Sequence, residues 1–130
     1  MIFVDTSVWI AFLRNGTRPV VDELRLLIDA DEVALASIVR LEILGGTSSK
    51  MLPTLRRTLA AVPTFYPSSG TWSLLETWID RTVRAGQCFG AADLLIAALA
   101  NEQRSSVWSL DADFERMAKL GLVRVHRTSS

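Results

Sequence analysis

Met1-Ile-Phe-Val-Asp5-Thr-Ser-Val-Trp9-Ile10 opens the chain, and its order of residue types decides the fold class. Ile2-Phe3-Val4 is an apolar run without alternation, the pattern of a strand buried on both faces. An acid follows at once. Asp5-Thr6-Ser7 offers helix-capping side chains, and Val8 to Arg14 reads as a helix that Asn15-Gly16 closes. A buried strand feeding directly into a helix is how an α/β unit begins.

The same alternation continues outward from this opening. Pro19 suits a helix start, and Val20, Leu24, Leu27 and Ile28 form a helical stripe. Val33 to Ala36 reads as a second buried strand, followed by a helix from Ser37 to Leu44 that Gly45-Gly46 ends. Ser48-Ser49 can cap a helix from Leu52 to Ala61, with Pro53 in its first turn. Thr64 to Tyr66 is a short strand, and Pro67-Ser68-Ser69-Gly70 has loop chemistry. Thr71 to Ala85 is helical, with Trp72, Leu75, Trp78, Ile79 and Val83 near one face. Ala91 to Gln103 is a mostly buried helix. A strand over Ser106 to Leu110, a helix over Asp113 to Lys119 and a last strand over Leu122 to Val125 complete the chain. The expected architecture is a single α/β domain, residues 1–130, with a mainly parallel central sheet.

Composition narrows the chemistry. The chain has 130 residues, of which 49% are apolar, enough for a core without disulfides. Formal net charge is zero, so nucleic-acid binding would need a local basic patch. The one cysteine, Cys88, and the one histidine, His126, exclude a zinc site built on those residues. No targeting segment is evident, and no stretch reaches the ~18–20 apolar residues of a spanning helix. A cytoplasmic protein is expected.

Four acids stand out: Asp5, Glu42, Asp93 and Asp111. Ligands bind beyond the carboxyl ends of the strands in an open parallel sheet. Asp5 directly follows the first strand and Asp111 follows the strand from Ser106. Glu42 lies on the helix leaving the second strand, and Asp93 sits in the first turn of an otherwise apolar helix. Singly, each has an ordinary explanation: Asp5 and Asp93 suit helix N-termini, and Glu42 suits a solvated helix face. Jointly, they point to one cleft. Unit charges ~4 Å apart repel by about 4 kcal/mol at an effective dielectric of ~20, so either some acids are protonated or a metal neutralises them. All-oxygen ligands favour Mg²⁺ or Mn²⁺ over zinc. Such ions acidify a bound water and stabilise charge on a phosphodiester under attack, without a His, Cys or Lys nucleophile.

With these residues in view, the chain resembles a PIN domain, specifically a VapC-type toxin ribonuclease. The resemblance rests on the opening segment through Ile10, on Ser37-Ile-Val-Arg-Leu-Glu42-Ile-Leu-Gly-Gly46, on Gly90-Ala-Ala-Asp93-Leu-Leu-Ile-Ala-Ala-Leu-Ala100 and on Ser109-Leu-Asp111-Ala-Asp113-Phe114. Ser109 stands where the family commonly has Thr. The order and spacing of these segments, rather than any one of them, make the resemblance specific.

It implies a three-layer α/β/α sandwich, an Mg²⁺- or Mn²⁺-dependent endoribonuclease, a cognate VapB-like antitoxin and a homodimer. It implies that Asp5 and Asp93 ligate metal, that Glu42 binds it directly or through water, and that Asp111 completes the site, with Asp113 as the rival for that place. Thr6 and Ser109 are expected to hydrogen-bond the acids or a scissile phosphate. Arg14, Arg40, Lys50, Arg56 and Arg57 are candidate RNA contacts, against the plainer reading of a solvated basic face.

Two other functions compete. A metal-dependent phosphatase of the haloacid-dehalogenase type would want an Asp where Ser7 stands. A non-catalytic PIN-like module for RNA or protein binding would have no use for all four acids.

Overall fold

The computed structural model describes residues 1–129. Its elements are β1 (Ile2–Val4), α1 (Thr6–Leu13), α2 (Arg18–Asp29), β2 (Val33–Ala36), α3 (Ser37–Gly46), α4 (Leu52–Ala60), β3 (Thr64–Phe65), α5 (Ser69–Arg84), α6 (Ala91–Glu102), β4 (Ser106–Trp108), α7 (Asp113–Lys119) and β5 (Arg124–His126). The five strands form one sheet in the order β3-β2-β1-β4-β5. Every pairing is parallel, with Ile2 opposite both Val33 and Ser106, and Trp108 opposite His126.

This order positions the site. From β1 the chain steps outward to β2 and β3, then returns to place β4 on the other side of β1. Right-handed crossovers put α1 to α4 on one face and α5 to α7 on the other. The reversal of direction opens a crevice at the carboxyl ends of β1 and β4, where ligands bind in such sheets. The backbone closes the base of that crevice: the Asp5 N–H donates to the Trp108 carbonyl at 2.9 Å.

The core explains why the short strands hold. Phe3, Val4, Ala34, Leu35, Val107 and Trp108 are buried on the central strands. Leu94 through Ala100 form an unbroken buried run on α6, whose alanines let it lie close to the sheet. Trp9 and Trp108 are fully enclosed, so neither is a platform for stacking a base, whereas Trp72 is half exposed. Trp9 has its indole N–H buried without a partner among the described residues. Such a donor costs about 1–3 kcal/mol, which burial of the ring must offset.

Several boundaries differ from the sequence reading, each for a local reason. Helix α1 begins at Thr6, and Asp5, at its N-cap, makes no side-chain cap bond because its carboxylate is engaged elsewhere. Ser69 and Gly70 belong to α5 and not to a loop: Ser68 and Thr71 form a reciprocal capping box that starts the helix earlier. Gly45 and Gly46 lie inside α3, whose C-cap is Thr47. Strand β4 stops at Trp108, two residues early, since Ser109 turns toward Asp5. The last strand is Arg124–His126 rather than Leu122 to Val125, because the parallel register pairs Arg124 with Ser106. No helix among the described residues is long and apolar enough to cross a membrane.

Candidate active site

Asp5 is the anchor of the crevice. Only 6% of it is exposed, yet two hydroxyls satisfy its Oδ2: Ser109 Oγ donates at 2.7 Å and Ser7 Oγ at 2.9 Å. Each hydroxyl has one proton. With both directed at Asp5, the 3.2 Å separation of Ser7 Oγ and Ser109 Oγ is a close approach and not a bond. Their lone pairs serve the loop after β4: Ser109 Oγ accepts from the Asp111 N–H at 2.9 Å, and Ser7 Oγ from the Leu110 N–H at 3.0 Å. The same two serines thus fix a buried carboxylate and shape the loop that carries Asp111.

Among the described residues, Asp93, Asp111 and Asp113 form the close group of acids, while Asp5 and Glu42 stand outside it, within electrostatic reach of Asp93. Glu42, exposed on α3, accepts from Thr6 Oγ1 at 3.2 Å. Asp93 is half-buried in the first turn of α6. Its pKa is raised to about 6, first by burial and then by the charges of Asp5, Asp111, Asp113 and Glu42. One oxygen from each of Asp93, Asp111 and Asp113 lies within 4.8 Å of the others. Asp111 Oδ1 also accepts from the Asp113 N–H at 3.0 Å, which orders the entry to α7.

The donor set is all oxygen and suits a hard divalent cation. Without a cation the neighbouring charges add to burial in raising the Asp93 pKa.

Asp113 differs from its neighbours in holding a cation already. Its Oδ1 pairs with Arg116 Nη2 at 2.7 Å. The Arg116 guanidinium also bonds Gln87 Oε1 and lies 4.6 Å from the centre of the Phe89 ring. Arg116 therefore ties α7 to the segment that leads into Asp93. Ser7, Gln87, Phe89 and Arg116 were not singled out as site residues from the sequence. A serine within helix-starting chemistry and an arginine on a short charged helix carry no signal until the fold brings them to the acids.

The basic candidates lie on or beside α1, α3 and α4. Arg14 is exposed and shares a cavity with Glu42. Arg40 is partly buried on α3, and Lys50, Arg56 and Arg57 are exposed. Arg57 bonds Thr54 on its own helix. His126 is turned to other work: its Nε2 lies 3.2 Å from Glu23 Oε2, and its ring packs edge-on against Trp108.

The PIN-domain family model matches residues 2–120. Ribonuclease VapC11 of Mycobacterium tuberculosis is 31% identical over 125 residues, spanning 92% of this chain and 93% of that protein. VapC ribonuclease Mb1587 of Mycobacterium bovis matches to the same extent. Among solved structures, FitAcB of Neisseria gonorrhoeae is 25% identical with a TM-score of 0.73, covering 98% of each chain. VapBC2 of Rickettsia felis bound to a DNA fragment from its promoter shares the fold with a TM-score of 0.79 at 20% identity, covering 97% of this chain and 98% of that one. The chain belongs to the PIN-domain family, alongside the VapC ribonucleases.

Proposed function

We propose that this chain is a metal-dependent endoribonuclease, the toxin of a VapBC-type pair, acting in the cytoplasm as a single PIN domain. The observation that carries the reading is the grouping of Asp93, Asp111 and Asp113 at the point where the strand order reverses, with burial first and then four neighbouring carboxylates raising the Asp93 pKa. A divalent cation bound there would relieve the repulsion among these acids.

Asp5, Asp93 and Asp111 are the residues that would hold Mg²⁺ or Mn²⁺, with Glu42 binding directly or through water. A bound cation supplies charge stabilisation to a phosphodiester and an acidified water as nucleophile. The chain's own residues do the positioning. Ser7 and Ser109 orient the Asp5 carboxylate, Thr6 steadies Glu42, and Arg116 occupies Asp113. With His126 engaged by Glu23, no imidazole is offered as base, so water rather than the RNA 2′-hydroxyl is the expected nucleophile.

The partner of such a toxin is a VapB-like antitoxin, and a basic side chain directed at the acids would inhibit by replacing the cation. Self-association as a homodimer is part of the same reading. A nuclease assay on total RNA, with Mn²⁺ or Mg²⁺ against EDTA and with Asp5→Asn as control, tests it. Metal-independent cleavage, or an active Asp5→Asn variant, would count against it.

A further inference from the structure

A cavity of ≈ 330 Å³ opens beside the carboxylates, between α1 and the end of α3. Glu42 belongs to both places, since it lines the cavity and also takes the Thr6 hydroxyl at the crevice. The volume is at the small end of the ~300–1,000 Å³ typical of ligand sites, which suits one planar ring and its sugar. Ile10, Leu13 and Met51 give it apolar walls, and Arg14 and Ser48 give it polar edges. Ile10 is 38% and Met51 42% exposed, large apolar surface left open next to charge.

Resting on the ribonuclease reading above, we infer that this cavity receives the nucleobase adjacent to the scissile phosphate and sets the base preference of cleavage. A chain whose phosphate lies at the acids must place a neighbouring nucleotide against one side of the crevice, and Glu42 makes this cavity that side. Apolar walls accept the faces of a base whatever its identity. Discrimination needs hydrogen bonds at its edge. Ser48 Oγ accepts from the Met51 N–H at 3.2 Å, which leaves its proton free to donate. The last carbonyls of α3 have no intrahelical N–H to meet and offer acceptors for an exocyclic amine. Arg14 at the rim supplies the cation that a flanking phosphate requires.

Gly46 makes the test direct. It lines the cavity, and a Cβ built on it meets nothing within 4 Å, so the position has room for a β-carbon at the cavity wall. The full chain would be given a pool of short single-stranded oligoribonucleotides randomised at the two positions flanking one cleavage site. The expected result is a base preference at one position in wild type. Gly46→Leu should flatten it and lower kcat/KM about tenfold, the scale of a lost pocket contact. Mn²⁺ binding by Gly46→Leu, measured by calorimetry, should be unchanged. Should Gly46→Leu fail to fold, Ser48→Ala must blur the same preference. An unaltered preference in the variant that folds, or no flanking preference in wild type, overturns the inference. Retained preference with lost binding of a basic peptide would assign the cavity to a protein and overturn it too. A wild-type chain that neither binds Mn²⁺ nor cuts RNA would instead sink the ribonuclease reading itself.

Discussion

Ser109 Oγ donates to Asp5 Oδ2 at 2.7 Å across 104 positions of sequence, joining the end of β4 to the end of β1. The bond has two consequences. It compensates a carboxylate that would otherwise be buried without enough partners, and it fixes the orientation of that group at the mouth of the crevice.

Ser109→Ala should therefore lower unfolding stability by roughly 1–2 kcal/mol, the lower range for a hydrogen bond to a charged group while Ser7 remains. Ser109→Thr keeps the hydroxyl and should be close to wild type. Removing Ser7 and Ser109 together should cost more than the sum of the single changes, because Asp5 then loses both donors. Urea denaturation of the four proteins checks this; additive effects would mean that the serines act independently of Asp5.

The raised pKa of Asp93 sets the sign of a pH effect. The folded group titrates at about 6 against an ordinary 3.8. Between those values the folded state holds a proton that the unfolded chain releases. Metal-free stability thus falls as pH rises from 3.8 to about 6 and stays lowered above. Asp93→Asn should be the more stable protein at pH 7 without metal, by about 1–2 kcal/mol once solvent screening is allowed for. The difference should vanish at pH 3.5 or so, below both pKa values. Mn²⁺ should reverse the ranking, since only wild type binds it well. Thermal melts across pH with and without Mn²⁺ would show a variant no more stable than wild type at pH 7 if neither burial nor the neighbouring carboxylates disfavour the charged form of Asp93.

Asp111 and Asp113 are separable by their partners. Arg116 pairs with Asp113, while among the described residues Asp111 accepts only backbone donation. Asp111→Asn should weaken Mn²⁺ binding by tenfold or more, about 1.4 kcal/mol, and Asp113→Asn by less. Calorimetric titration decides; the reverse order would make Asp113 the ligand and Arg116 a group displaced from it.

An exposed apolar face on α5 is the candidate surface for the proposed homodimer. Trp72, Ile79 and Val83 lie along one exposed face of α5, with exposures of 54%, 45% and 69%. If this face buries itself in a homodimer, Val83→Glu should shift light scattering to the monomer without altering the fold. A wild-type chain that is monomeric at every concentration would remove the dimer from the account.

The sequence was most informative where chemistry and periodicity agree. Ile2-Phe3-Val4 and Val33 to Ala36 read as buried strands because they are apolar without alternation, and both are. Asp93 drew attention because a charge inside an apolar helix is costly, and the structure shows that cost as a raised pKa. Chain ends of elements were harder. The start of α5 hangs on a reciprocal bond between Ser68 and Thr71, and the end of β4 on a contact with a residue at the other end of the chain. Ser7 and Arg116 were invisible for the same reason: each owes its role to a partner that only the fold supplies.

The central claim is tested most directly by the ends of the RNA fragments. The purified chain would be incubated with total RNA in Mn²⁺, and the products labelled and sequenced at both ends, with EDTA and Asp93→Asn as controls. Cleavage should need the metal and Asp93, and it should leave 5′-phosphate and 3′-hydroxyl ends, because water and not the 2′-hydroxyl attacks. A 2′,3′-cyclic phosphate, full cleavage in excess EDTA, or wild-type rates in Asp93→Asn would contradict the account.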